Sequence, residues 1–161
     1  MTMRERQQAQ QQHDQKNHFD ILSLSRIDRL KHYGLHFAKY AGRFARGDAE
    51  TKTREETLVD AFLVALSAAN SLNQALPDIV GEQVEGEPCS DLVFTDQAGR
   101  FADACEKIDH LEEFRMIALD ANLALVKWIL ENAEANDLNL DTLIEKRRQQ
   151  LAHRSVYGMT E

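Results

Sequence analysis

The stretch EETLVDAFLVALSAANSLNQAL, residues 55–76, decides the fold class. Its middle, AFLVALSAA, is apolar on every side of a helix, and such a helix lies at the centre of a fold because each face needs a packing partner. Pro77 follows, and its ring and missing N–H prevent the helix from continuing. We therefore predict a central helix over 55–76 with other helices packed around it.

Helical periodicity also marks the segments before and after this helix. Residues 25–46 carry an apolar stripe with heptad-like spacing that ends at Gly47-Asp48. Its members are Ile27, Leu30, Gly34, Phe37, Ala41 and Phe44. A second stripe resumes near Ala98 and changes phase, which predicts a bend over 112–116. Its members are Phe101, Cys105, Ile108 and Leu111, and then Leu119, Leu123, Val126 and Leu130.

The last helical pattern covers 140–153, with Asn139 as its predicted N-cap. No segment alternates with the period of two that is typical of a strand. We therefore predict an all-α protein, a helical bundle of about four to five helices.

The remaining segments are polar and suggest the boundaries of one domain. Residues 1–19 are rich in glutamine and bury too little apolar surface to offset the entropy of ordering, so a flexible tail or a frayed helical extension is expected. Residues 20–161 form a single all-α domain in this interpretation. The acidic stretch 77–97, with its glycines and prolines, connects the two halves of that domain.

Composition and charge narrow the function classes. The chain has 161 residues and a formal net charge of −8, which disfavours nucleic-acid binding because phosphates require a basic surface. It lacks the run of about 18 apolar residues that a membrane span needs, so no membrane association is expected. With no apolar signal segment, Cys89 and Cys105 are interpreted as reduced thiols in a cytoplasmic protein.

A short internal repeat suggests a duplicated helix pair. AGRFA occurs at 41–45 and again at 98–102, and DAxL follows at 60–63 and at 120–123. A duplication with repeat one at 20–76 and repeat two at 98–154 predicts a pseudo-twofold core, in which Gly42 superposes on Gly99 and Asp60 on Asp120. Small residues at these positions would let the helices approach closely. Coincidence is the alternative, since alanine, arginine and phenylalanine are ordinary helix residues.

Two acidic sets are candidates for chemistry. Glu56 and Asp60 are four residues apart and share one helix face at the start of the apolar helix. Glu106, Asp109 and Glu113 form a second stripe, which could hold a hard cation such as Mg²⁺ through carboxylate oxygens. First-turn acids that favour the helix dipole and a solvated helix face are the alternatives.

Histidines and basic residues form two further sets. Asp28, His32 and His36 follow each other at four-residue spacing, which suits a metal, but they lie opposite the apolar stripe and are expected to be solvated. A basic end near the C-terminus either favours the helix dipole or clamps a phosphate. It consists of Lys146, Arg147, Arg148 and Arg154.

Residues 36–76, HFAKYAGRFARGDAETKTREETLVDAFLVALSAANSLNQAL, resemble the MazG-like family of all-α nucleotide pyrophosphohydrolases. Glu56 and Asp60 fall near that family's second acidic motif, and 137–154 resembles its closing helix. The resemblance implies Mg²⁺- or Mn²⁺-dependent hydrolysis of a nucleoside triphosphate to a monophosphate and pyrophosphate. The expected metal ligands are Glu56, Asp60, Glu106 and Asp109, with Glu113 as general base. The expected nucleotide-binding cations are Lys39, Lys146 and Arg147.

The first acidic motif of the family is not preserved. Tyr40 and Arg43 stand where the resemblance predicts glutamates. The alternative function is therefore a catalytically inactive MazG-like bundle that binds a protein partner, acts as a regulatory subunit or forms a homo-oligomer.

Overall fold

The computed structural model describes residues 1–78 and 90–152, which form α-helices, one 3-10 turn at Gly47–Ala49 and no strand. The helices are α1 (Met3–Asn17), α2 (Phe19–Leu22), α3 (Arg26–Arg46), α4 (Arg54–Leu72), α5 (Asp91–Asp109), α6 (Arg115–Ala135) and α7 (Leu140–Ala152). The predicted all-α bundle is confirmed. Cys89 and Arg154, and residues 79–89 of the predicted connection, lie outside the described residues.

Helix α4 is central, as its uniform apolarity predicts. It packs against α1, α3, α6 and α7, and nearly every position from Thr57 to Leu72 is buried. Its start is fixed by a capping box, in which Thr53 Oγ1 accepts from the Glu56 N–H and Glu56 Oε2 accepts from the Thr53 N–H. The helix ends at Leu72, four residues before the predicted end, and Asn73 caps it in the left-handed conformation.

Helices α3 and α5 run antiparallel and are joined by two phenylalanine contacts. The rings of Phe37 and Phe101 lie 5.0 Å apart at 77°, and those of Phe44 and Phe94 lie 5.0 Å apart at 76°. The sequence offset between Ala41 and Ala98 also relates Phe37 to Phe94 and Phe44 to Phe101. Exchanging the two copies of the repeat therefore turns the Phe37–Phe101 contact into the Phe44–Phe94 contact. This symmetry favours the repeat interpretation for α3 and α5.

The same symmetry does not extend to every position. Asp60 is 8% exposed, whereas Asp120 lies on the surface. Gly99 is exposed as well, and a Cβ built on it meets nothing within 4 Å. The close helix approach expected at the AGRFA glycines therefore does not occur at Gly99, and a twofold relation between whole helix pairs stays a prediction.

The structure corrects the flexible tail predicted over 1–19. Most of this segment is helix α1, which begins with a capping box at Thr2 and buries Met3, Gln10 and Asp14. Its contacts with the segment after α4 are hydrogen bonds, such as Gln7 Nε2 to the Gln74 carbonyl at 2.8 Å. A polar helix can pack in this way because its buried groups find partners, which apolar periodicity does not reveal.

Two other boundaries differ from expectation. Helix α5 starts at Asp91, inside the predicted connection, where Trp128 Nε1 donates to the Ser90 carbonyl. The predicted bend occurs at 110–114, between α5 and α6. Leu111 lies in this break with a φ of 57° and is 95% exposed, so it is not part of the apolar stripe.

Most of the predicted stripe of α3 is buried, namely Leu30, Gly34, Phe37 and Phe44, whereas Ile27 is 44% exposed at the start of the helix. In α6 the buried face is shifted from the predicted stripe. Val126 is buried as predicted, Leu119, Leu123 and Leu130 are partly buried, and the other buried side chains include Ala118, Ala121, Asn122, Leu125 and Ile129. Within residues 1–78 and 90–152, no helix is long and apolar enough to cross a membrane.

Gly99→Ala is expected to increase the free energy of unfolding by about 0.5–1 kcal/mol, because alanine is the better helix former and its Cβ meets no neighbour. Urea denaturation of wild type and variant measures this change. Gly34→Leu provides the contrast, since even a Cβ at Gly34 meets Cys105 Sγ at 3.4 Å. A destabilised Gly99→Ala protein would mean that this glycine does permit a close approach.

Candidate functional site

The predicted metal ligands are dispersed. Glu56 caps α4. Glu106 pairs with His110, Asp109 pairs with Lys31 on the surface, and Glu113 accepts from the Arg115 N–H. In the part of the chain that the structure describes, no three or more His, Cys, Asp or Glu side chains gather in a way that could hold a metal ion. The expected carboxylate cluster is therefore not assembled there, and Glu113 has no such cluster to serve as general base.

Asp60 instead lies in a cavity of about 470 Å³, which we call the basic pocket. Helices α1, α3, α4 and α7, residues 18–22 and Lys52 line it. Its charged end is formed by Lys39, Arg43, Lys52, Asp60 and Arg147. The volume falls within the range of about 300–1,000 Å³ that is typical of small-molecule sites.

Among the described residues, Asp60 is the one carboxylate in this charged cluster. Arg147 donates to it from α7 through two bonds, Nε to Oδ1 at 2.6 Å and Nη2 to Oδ2 at 3.2 Å. Arg43 Nη1 lies 3.5 Å and Lys52 Nζ 3.8 Å from Oδ2. The Asp60 side chain is 10% exposed, so these cations compensate a charge that burial would otherwise make costly.

The cations outnumber the carboxylate. Arg43 Nη1 is buried and, despite its ion pair with Asp60, has no hydrogen-bond partner within residues 1–78 and 90–152. Lys39 adds a fourth cation at the mouth of the pocket. Its pKa is lowered by burial and by the positive charge of Arg43. The charged end therefore has an excess of positive charge that would attract an anion.

Two histidines line the pocket beside this cluster, which corrects their expected solvation. Lys39 Nζ lies 3.0 Å and the Tyr40 hydroxyl 3.1 Å from His36 Nδ1. His36 Nε2 lies 3.1 Å from His32 Nε2. An ammonium only donates, so Nδ1 of His36 accepts, and this bonding assigns its proton to Nε2. Burial and then the charge of Lys39 lower the pKa of His36 to about 4.

The rest of the pocket is lined by the carboxylates of Asp14 and Asp20 and by polar and apolar side chains. Asp14 accepts from Ser67 Oγ at 2.6 Å and from Gln10 Nε2 at 2.8 Å, and burial raises its pKa. Arg148 donates to Gln10 Oε1 and so fixes that amide. The apolar side chains that line the pocket are Ile21, Leu22, Leu63, Val64 and Leu151. A bound molecule would therefore meet charge at one end and an apolar, hydrogen-bonding surface at the other.

The structure brings together three of the residues predicted from the sequence. Lys39, Asp60 and Arg147 line the basic pocket, whereas Lys146 is exposed and does not line it. Sequence reasoning missed Arg43 and Lys52 as site residues. A signal for Arg43 exists, because His32, His36, Lys39 and Arg43 recur every three or four residues and so share one face of α3.

No protein-family model, curated protein or solved structure matches the chain. The MazG-like resemblance therefore stays a prediction, and the site is interpreted from its own geometry.

The free energy of unfolding is expected to fall by about 1–2 kcal/mol per histidine as the pH falls from 6.5 to 4. Burial lowers the pKa of His13 and of His36 from 6.5 to about 4. The unfolded chain therefore binds protons in this window that the folded state does not. Their contribution is fully present above pH 6.5 and is lost as the pH falls toward 4, while the raised pKa of Asp14 acts in the opposite sense.

Urea denaturation at pH 7, 6, 5 and 4.5 measures this dependence. His36→Gln should flatten it, and His110→Gln, which alters an exposed histidine outside the pocket, should not. An unchanged slope in His36→Gln would show that another group titrates.

Proposed function

We propose that the protein binds a phosphorylated small molecule of mononucleotide size in the basic pocket, without metal-dependent hydrolysis at the predicted carboxylates. The observation that carries this proposal is the surplus of cations at the charged end, where Lys39, Arg43, Lys52 and Arg147 surround one buried carboxylate. Guanidinium groups bind phosphate through paired, charge-assisted hydrogen bonds, and lysines add point charges.

The role of Asp60 in this proposal is to position cations. Its two bonds with Arg147 hold the guanidinium of α7 against α4. Because both carboxylate oxygens already face cations, Asp60 is poorly placed to serve as a metal ligand. A phosphate at the charged end would meet the remaining donors of Arg147 together with the unpartnered Nη1 of Arg43.

The size of the ligand follows from the length of the pocket. Asp60 at the charged end and Ser67 beside Asp14 are separated by about 10 Å along α4, from the 1.5 Å rise per residue. This length and the cavity volume suit a phosphate joined to a compact ring or chain. Apolar contacts with Leu63 and Val64, and hydrogen bonds near Asp14, would hold the organic part.

Isothermal titration calorimetry with the four ribonucleoside monophosphates, ATP and pyrophosphate, in EDTA and then in Mg²⁺, tests the proposal. Binding of at least one of them is expected without metal. Arg147→Ala should weaken it by about 10- to 100-fold, the value of one charge-assisted hydrogen-bonded contact. Lys146→Ala, at the exposed neighbouring position, is the matched control and should bind like wild type.

Lys52→Ala is a second variant, because Arg147→Ala leaves a buried carboxylate without its main partner and could loosen α7. Circular dichroism and thermal melting identify any loss of fold. Equal affinity of wild type, Arg147→Ala and Lys52→Ala would overturn the assignment of the pocket, as would the absence of binding by every compound.

The same samples test the activity that the MazG-like resemblance implies. Release of pyrophosphate from ATP in Mg²⁺ or Mn²⁺, lost in Asp60→Asn, would replace the binding proposal by metal-dependent hydrolysis. We expect no such release.

A further inference from the structure

We infer that the basic pocket takes up one proton at His36 when it binds a dianionic head group, so that its affinity for that group increases as the pH falls from 7 to 5. This inference rests on the proposed function and adds its pH dependence and a ligand-sensing residue. It follows from the bonding of His36 and from the charges around it.

The bonding of His36 disfavours a proton on Nδ1. Lys39 donates to this atom at 3.0 Å, and the Tyr40 hydroxyl is its other neighbour at 3.1 Å. Protonation of Nδ1 would set an N–H against an ammonium, and both are donors. His36 therefore remains neutral as long as Lys39 stays in this position.

An incoming dianion removes that obstacle. Lys39 is exposed at the mouth of the pocket and has a long flexible stem, so its ammonium can turn from a neutral imidazole toward a phosphate oxygen. The freed Nδ1 can then take up a proton from solvent, and its N–H donates a hydrogen bond to the Tyr40 hydroxyl oxygen or to the anion. The hydrogen bond from Lys39 to His36 is then replaced by two, one from Lys39 to the anion and one from the charged His36.

The charges that face His36 come from every side of the pocket. From α3 they are Lys39 and Arg43, and His32 is the neighbouring imidazole. Asp60 faces it from α4, His18 and Asp20 from the segment before α3, Lys52 from the loop before α4 and Arg147 from α7. Burial, Lys39, His32 and Arg43 lower the pKa of His36 and favour the neutral imidazole, and Asp60 alone opposes them among the principal influences. A bound dianion adds two negative charges to this balance and favours the imidazolium.

Sulfate is the appropriate probe because it remains a dianion throughout pH 5–7 and does not itself take up protons. Two-dimensional ¹H–¹³C NMR spectra of the imidazole groups, recorded during sulfate titrations at constant ionic strength with NaCl, give the affinity and the protonation of His36 together. We expect sulfate to bind about tenfold more tightly at pH 5 than at pH 7, which is the linkage required if binding moves the pKa of His36 from about 4 toward its ordinary range.

Two variants separate this role from a structural one. His36→Gln should bind sulfate with an affinity that changes less than about twofold between pH 7 and pH 5, while His110→Gln should behave like wild type. Lys39→Gln removes the ammonium that faces Nδ1, so it should raise the pKa of His36 even without sulfate. A merely structural role of Lys39 would not move that signal.

The outcomes distinguish this inference from the proposed function. Sulfate binding that depends on Arg147 but is equal at pH 5 and pH 7 would overturn the proton uptake and leave the anion site standing. A pH dependence retained in His36→Gln would also overturn it, because another group would then take up the proton. Absence of sulfate binding at both pH values, together with no binding of the nucleotides and pyrophosphate, would overturn both.

Discussion

The ion pair between Asp60 and Arg147 is the constraint on which the arrangement of the site depends. Asp60 lies near the start of the central, largely buried helix, where a carboxylate without partners would be expensive. Arg147 reaches it from α7 in a paired hydrogen-bond geometry, and breaking such a buried pair costs about 3–5 kcal/mol. The carboxylate thus ties α7 to α4 and draws Arg43 and Lys52 to the same point.

A second buried polar network explains how a glutamine-rich helix joins this bundle. Gln10, Asp14 and Ser67 bond to one another, and Arg148 donates to Gln10 from α7. Each polar group gains a partner, so the network offsets its desolvation although it buries little apolar surface. Helices α1 and α7 are therefore held by directional bonds, while Phe37, Phe101 and their neighbours close the apolar side of the bundle.

The sequence predicts the apolar part of this fold well, because helix periodicity reports burial directly. The central position of α4 and the break between α5 and α6 follow from the spacing of apolar residues alone. The packing of α1 does not, since its partners lie far along the chain and contact it through hydrogen bonds. Asn139 was recognisable as the N-cap of α7, and its Oδ1 accepts from the Thr142 N–H at 3.1 Å.

The site was only partly predictable for the same reason. Lys39 and Arg147 were identified as anion-binding candidates, and both line the pocket. The acidic stripe of α5 points away from the core because Phe101, Cys105 and Ile108 occupy the inward face, so Glu106 and Asp109 remain on the surface. Spacing places residues on a common face, but only the packing of the helices determines which faces meet.

The residues at two positions of α3 account for the difference between the expected carboxylate cluster and the basic pocket. Arg43 and Tyr40 stand where the resemblance predicts glutamates. Glutamates at these positions would repel Asp60 and would also repel a phosphate. A divalent cation would then have to lie between the carboxylates and the phosphate. Arg43 reverses this requirement, since its guanidinium is attracted to Asp60 and can contact a phosphate directly. Among the described residues the buried Nη1 of Arg43 has no hydrogen-bond partner, and an unsatisfied buried donor lowers stability, a cost that is typical of functional sites.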